Sequence, residues 1–133
     1  LHRITKAYRA LEDTDPLSNA KPDHGFHQAI IEASHNPVLV HVLNGLKNMM
    51  LLTVHASVAN LNPRAEMRQL IMKQHKQIYQ AIMAGKATTA RKVAMAHVRF
   101  VQDSLRSLEN QGAEVIRVSL ESNNFHENPT KRY

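Results

Sequence analysis

The chain has 133 residues, of which 21% are charged and 43% apolar, a balance that excludes an intrinsically disordered protein and suits one globular domain. It has no cysteine, no run of 18 apolar residues and no secretory signal at its start, so we expect a cytoplasmic protein without disulfides or a membrane span. The net charge of +6 is spread over every segment and accompanies no zinc-finger spacing or phosphate-binding loop, which favours a solvated surface over a DNA-reading face.

Apolar residues recur at helical spacing and do not alternate, so the sequence predicts an all-α antiparallel helical bundle of about five helices. The first helix is predicted over residues 1–12. Turn-forming residues then fill the stretch up to Asp23, which predicts an exit loop. The second helix is predicted to begin near Pro22, because proline suits the first turn of a helix, and to end near Ser34.

A long third helix is predicted to begin with Asn36 as its cap and Pro37 at its first position, and to continue to Leu61. One apolar stripe of this helix is expected to face inward. The stripe contains Leu39, Leu43, Leu46 and Met50, and it continues at Thr53 and Ser57.

The fourth helix is predicted to begin with Asn62 as cap and Pro63 at its first position, and to end at Gly85, which can adopt the left-handed conformation that closes a helix. The fifth helix is predicted from Ala87 to Asn110. Its expected inward residues are Ala90, Val93, Ala94, His97, Val101, Leu105 and Leu108. We expect residues 1–122 to form one helical domain and residues 123–133 a polar tail.

Four polar side chains are expected to point into this bundle. Asp23 and His27 lie four residues apart, so they leave the same face of one helix. His75 shares its stripe with Ile78 and Ile82, and His97 lies within the apolar stripe of the fifth helix. Polar groups are costly beside a core unless something satisfies them.

The turn at Gly85 predicts that two of these histidines meet. His75 lies ten residues before the turn, roughly 15 Å of helix, and His97 lies twelve residues after it, roughly 18 Å. In an antiparallel hairpin both imidazoles therefore reach nearly the same height. One carboxylate and three imidazoles form a suitable ligand set for a divalent transition metal, because imidazole nitrogens suit zinc, nickel, copper or iron, and of these we expect zinc or nickel. The alternative, that the histidines are hydrogen-bonded core residues and Asp23 a favourable charge in a first turn, stays open on spacing alone.

The same residues carry a family resemblance. The segments "DHGFHQAI", "EASHNPVL" and "KQHKQIYQAIMAG", together with the later histidine of "AMAHVRFV", resemble the FCD effector-binding domain of GntR-type bacterial transcription regulators over roughly residues 1–110. The segments "HASVANL" and "LENQGAEVIR" are most similar to glycolate-responsive members, with L-lactate and pyruvate regulators close.

The resemblance implies a homodimeric, ligand-sensing helical bundle that binds a small carboxylate, such as glycolate or lactate, at a divalent metal. The metal ligands implied by it are Asp23, His27, His75 and His97. Thr53 and Ser57 interrupt an apolar stripe and are candidates for hydrogen bonds to the effector. Their alternative role is a hydrogen bond back to the preceding helical turn.

Two departures from the family pattern are expected to matter. A winged-helix DNA-binding domain does not precede the module in this sequence, so operator DNA is expected to be bound only through such a domain. The sequence begins 22 residues before Asp23, so the opening helix of the module is also expected to be missing.

Two other functions compete with the sensor. A metal with open coordination positions could activate water, which would make the chain a metal-dependent hydrolase. Neither Glu32 nor Glu66 is recognisably placed as a general base, however, so we do not expect an enzyme. The third interpretation is a ligand-free helical interaction module in which the histidines are only packed.

Overall fold

The computed structural model describes residues 1–15, 17 and 20–116. The described residues form six α-helices and no strand, which confirms the all-α prediction and corrects the expected count of about five. The helices are α1 (His2–Glu12), α2 (Lys21–Glu32), α3 (Pro37–Gly45), α4 (Lys47–Leu61), α5 (Ala65–Met83) and α6 (Ala87–Asn110). The predicted polar tail at 123–133 lies outside the described residues.

The extra helix arises because the predicted long third helix is broken after Gly45. Asn36 caps α3 as predicted, since its side-chain oxygen accepts a hydrogen bond from the Leu39 backbone N–H at 3.1 Å. The chain then bends by 66° between α3 and α4. Glycine has a low helix propensity, and Leu46 leaves helical geometry at this point with φ −97° and ψ 7°.

The bend makes the expected inward stripe of α3 wrong. No residue of α3 is fully buried, and Leu39 and Leu46 keep 40% and 42% of their surface exposed. Of the other stripe residues, Leu43 and Met50 are partly buried, Thr53 is exposed, and Ser57 in the second half of α4 is buried. Within the described residues, no single helix is long and apolar enough to cross a membrane, and α3 with α4 reaches that length and composition only across the bend.

The start of α5 also differs from the prediction. Asn62 is buried and ends α4, so it does not cap the next helix; Arg64 takes the position before α5, which begins at Ala65. The α6 boundaries agree with the prediction. Gly85 has φ +66°, so it closes α5 in the left-handed conformation and lets α5 and α6 pack as an antiparallel hairpin.

The hydrophobic core lies between α1, α2 and α5. Its buried members are Ile4, Tyr8, Leu11, Phe26, Ala29 and Ile78. The Tyr8 ring stacks on Tyr79 with 4.2 Å between centroids and tilts against Phe26 at 5.6 Å. Phe26 is fully buried and its ring meets the His75 imidazole edge-on at 5.6 Å. The core therefore ends directly at the predicted polar cluster and supports one of its rings.

Candidate metal centre and adjacent cavity

Asp23 and His27 form the first half of the cluster, one turn apart on α2. Their side chains share one face of the helix, and Asp23 Oδ1 lies 3.2 Å from His27 Nε2. Asp23 lies in the first turn of α2, where a carboxylate is also favoured by the partial positive charge of the helix end. Both side chains are largely shielded from solvent.

His75 comes to this pair from α5. Its side chain is completely buried, and its Nε2 lies 3.3 Å from His27 Nε2 and 3.8 Å from Asp23 Oδ1. Its other ring nitrogen, Nδ1, is buried and has no hydrogen-bond partner among the described residues. Nε2 is therefore the nitrogen that His75 presents to the cluster.

His97 completes the cluster from α6, as the hairpin register predicted. Its ring centroid lies 4.5 Å from that of His75 and 5.4 Å from that of His27, on which it is stacked. One nitrogen from each of the three imidazoles lies within 4.8 Å of the other two. The structure therefore brings the three predicted imidazoles together, and Asp23 lies beside them, next to His27 and farther from His75.

Burial sets the charge state of the cluster. Desolvation lowers the pKa of His75 from 6.5 to about 3 and that of His97 from 6.5 to about 4, because the charged imidazolium loses its hydration. Burial alone would raise the pKa of the Asp23 carboxyl, but the hydrogen bond with His27 and the nearby histidine charges outweigh it and lower this pKa. At neutral pH the centre thus holds one carboxylate and at least two neutral imidazoles, the protonation states that metal ligands require.

The donor set and its spacing fit a divalent transition metal. Imidazole nitrogens and a carboxylate oxygen are common ligands of zinc and nickel. Atoms that each lie about 2.0–2.2 Å from one ion are about 3–3.5 Å apart. The 3.2 Å separation of the Asp23 and His27 donor atoms and the 3.3 Å separation of the His27 and His75 atoms agree with this span, whereas Asp23 and His75 lie somewhat farther apart, at 3.8 Å.

A cavity of about 590 Å³ opens beside the cluster, between α4 and α6. Asp23, His27 and His97 line it, whereas His75 does not. The donor atoms are therefore closed off on the His75 side and accessible from the cavity.

The two predicted effector-binding hydroxyls both line this cavity but differ in surroundings. Ser57 is buried on α4. Thr53 is exposed, and its hydroxyl donates to the Met49 carbonyl oxygen at 3.0 Å, which is the back-bonding role considered as its alternative. Ser57 is the better placed of the two for a ligand in the cavity.

Sequence reasoning missed two residues of the site. Arg106 lines the cavity about two and a half turns beyond His97 on α6, in a row with Val98 and Gln102 beside the predicted stripe. Gln74 places its side-chain oxygen 2.9 Å from His97 Nδ1. No signal in the sequence marks Gln74, because its contact depends on how α5 and α6 are rotated against each other.

Comparison with known families and proteins relates the chain to transcription regulators. The FCD domain model matches residues 1–100. The chain is 41% identical over 129 residues to the "Glc operon transcriptional activator" of Escherichia coli K12, covering 90% of this chain and 51% of that protein. It is 31% identical over 117 residues to the "Putative L-lactate dehydrogenase operon regulatory protein" of the same strain, covering 88% and 45%.

A third relative is the "HTH-type transcriptional regulator LutR" of Bacillus subtilis 168, which is 30% identical over 79% of this chain and 49% of its own length. The chain thus spans about half the length of the curated relatives it matches. No solved structure matches it. These relatives are regulators by name, in agreement with the expectation that the chain is not an enzyme.

Proposed function

The chain belongs to the FCD family, the effector-binding domain of GntR-type transcription regulators, and from this premise we propose that it senses a small 2-hydroxy acid through a bound divalent metal. The proposed metal ligands are Asp23, His27, His75 and His97. Zinc or nickel is the proposed ion.

The observation that carries this proposal is the meeting of three imidazoles from three helices, with the Asp23 carboxylate beside two of them, at the wall of a cavity. A divalent transition metal held there would supply open coordination positions to the carboxylate and hydroxyl of a 2-hydroxy acid. Asp23 offsets part of the cation's charge. His75 and His97 contribute neutral nitrogens without first having to release protons at neutral pH.

Residues around the cavity would orient the effector. The buried Ser57 hydroxyl can donate a hydrogen bond to a carboxylate oxygen. Farther along, Arg106 and Glu109 line the same cavity, so the positive charge of the guanidinium is accompanied there by a carboxylate. One relative is named for the Glc operon and another for an L-lactate dehydrogenase operon. Together with the family resemblance, these names support glycolate or lactate as the effector.

Signalling would follow from the position of the cavity between α4 and α6. An effector that contacts Ser57 on one wall and the metal ligands on the other tethers these helices and favours one relative placement of them. The effector can change the regulator's state only if two relative placements of these helices exist and bind the effector with different affinity. The proposal includes operator binding through a DNA-binding domain outside this sequence.

A homodimer is also part of the proposal. Large apolar side chains remain exposed on α3 and at the start of α4, among them Val38, Val42 and Met49. Such a surface is typical of a protein–protein interface. A second copy of the chain is the partner we propose for it.

The chain produced without an affinity tag tests the function. We expect about one equivalent of metal per chain, and saturable binding of glycolate or L-lactate only while the metal is present. His27→Ala and His97→Ala should abolish both, and His2→Ala, on the exposed surface of α1, should change neither. A chain that takes up no Zn²⁺ or Ni²⁺ at neutral pH would exclude the sensor as proposed.

A further inference from the structure

We propose that Gln74 is a positioning residue for the metal centre, which holds His97 in the single tautomer that can bind a cation. This inference rests on the proposed metal site. Its basis is the contact of the Gln74 side-chain oxygen with His97 Nδ1 at 2.9 Å, which joins α5 to α6. Nothing in the family match or in the relatives' names assigns a role to Gln74.

The chemistry of the contact determines where the His97 proton lies. A neutral imidazole carries one N–H, on either Nδ1 or Nε2, and an amide oxygen can only accept a hydrogen bond. The Gln74 oxygen therefore requires the hydrogen on Nδ1 and leaves the lone pair on Nε2. Only a nitrogen with a free lone pair can bind a metal, so the contact prepares Nε2 as the ligand atom.

Gln74 and His75 are consecutive on α5 and point about 100° apart around the helix axis. Within one turn of α5, the His75 imidazole therefore contacts His27 and the Gln74 amide contacts the His97 ring. Metal-bound histidines generally donate their second N–H to an acceptor of this kind, which fixes the orientation of the ring.

His75, the other buried imidazole, has no partner that corresponds to Gln74. His75 Nδ1 has no hydrogen-bond partner among the described residues, so no comparable acceptor fixes its tautomer. Of these two imidazoles, His97, which lines the cavity, has Gln74 as a partner for its second nitrogen, whereas His75, away from the cavity, contacts the cluster only through Nε2.

Nitrogen-15 NMR of the metal-free full chain tests the tautomer directly. We expect His97 to carry its hydrogen on Nδ1 in the wild type and in Gln74→Glu, which keeps an acceptor. In Gln74→Leu and Gln74→Met, which remove the acceptor, His97 should lose this preference. Gln77→Leu makes the same change at an exposed position of α5 and should leave His97 as in the wild type. Hydrogen on Nε2 in the wild type, or an unchanged tautomer in both apolar variants, would overturn the proposal.

Zn²⁺ affinity, measured by competition with a chromogenic chelator, supplies the second readout. Loss of such a partner typically weakens metal binding by about 10–100-fold, and we expect this for Gln74→Leu and Gln74→Met. Gln74→Glu should bind Zn²⁺ with near wild-type affinity because it keeps a hydrogen-bond acceptor for His97. If Gln74 served only to pack α5 against α6, the acceptor would not matter. Wild-type affinity in both apolar variants overturns the positioning role. If the wild type binds no Zn²⁺, the proposed metal site fails, and the tautomer measurement still decides whether Gln74 fixes His97.

Discussion

The Nε2 atoms of His27 on α2 and His75 on α5 lie 3.3 Å apart, although 48 residues separate them in the sequence. Asp23 Oδ1 lies 3.2 Å from the first nitrogen and 3.8 Å from the second. This contact is placed by the core, because the buried Phe26 ring, next to His27 in the chain, packs edge-on against His75. The contact of Phe26 with His75 therefore holds the donor atoms of His27 and His75 close together in the metal-free chain.

Replacing His75 with leucine should separate metal binding from folding. The imidazole is completely buried and leaves Nδ1 unsatisfied, which is a cost that an apolar side chain of similar size does not carry. We expect His75→Leu to lose Zn²⁺ binding while its melting temperature in chelator stays equal to the wild-type value or rises. Thermal melts with and without Zn²⁺ measure both effects. A large fall in the melting temperature in chelator would show that the ring is needed for packing.

The stability of the metal-free chain should decrease as the pH falls below about 6.5. The pKa values of His75 and His97 are about 3 and about 4 in the folded chain, below the ordinary 6.5. Between these values the unfolded chain binds more protons than the folded chain. The stability from keeping both rings neutral is therefore complete above pH 6.5 and is lost progressively toward pH 4 and then pH 3.

Melting temperatures in chelator between pH 7.5 and pH 4.5 test this dependence. The His75→Leu variant serves as the matched control, and we expect its melting temperature to fall less steeply over the same range. A wild-type melting temperature that does not change with pH, or that rises as the pH falls, would contradict the buried neutral state of the rings.

Truncation of Phe26 should weaken both the core and the cluster. The ring is completely buried and contacts Tyr8 on one side and His75 on another. We expect Phe26→Ala to reduce the free energy of unfolding by about 3–5 kcal/mol, measured by urea denaturation. Val98→Ala, at an exposed position of α6, should change it by less than about 1 kcal/mol. Equal effects of the two substitutions would place the core elsewhere.

The two hydroxyls beside the cavity should differ in their effect on effector binding. Ser57 is buried, so its loss removes one hydrogen bond, and we expect Ser57→Ala to weaken L-lactate or glycolate binding by about 3–10-fold. Thr53 already donates to the Met49 carbonyl oxygen, so Thr53→Val should leave the affinity nearly unchanged. Calorimetric titration of the Zn²⁺-loaded variants distinguishes them, and a larger loss at Thr53 than at Ser57 would reverse this assignment.

Features set by local chemistry and helix periodicity were predictable from the sequence. Asn36 caps α3, Gly85 closes α5 with a positive φ, and α6 covers the predicted Ala87–Asn110. The meeting of His75 and His97 followed from the same reasoning, because a short turn between two straight helices fixes which residues lie at the same height.

Features that depend on competition between neighbouring elements were not predictable. The periodicity of residues 37–61 continues through Gly45, and only the packing of α4 shows that the chain bends there. Asn62 is a good helix cap by residue type, but it is buried at the end of α4 before α5 begins. The contact of Gln74 with His97 depends on the relative rotation of α5 and α6, which residue spacing does not determine.

X-ray absorption at the zinc edge, on the chain loaded with one equivalent of Zn²⁺, identifies the ligands of the bound ion. We expect three imidazole ligands and at least one oxygen ligand, with a further change in the oxygen shell when L-lactate or glycolate is added. Fewer than two imidazoles around the zinc, or a spectrum that His97→Ala leaves unchanged, would show that the cluster between α2, α5 and α6 does not hold the ion.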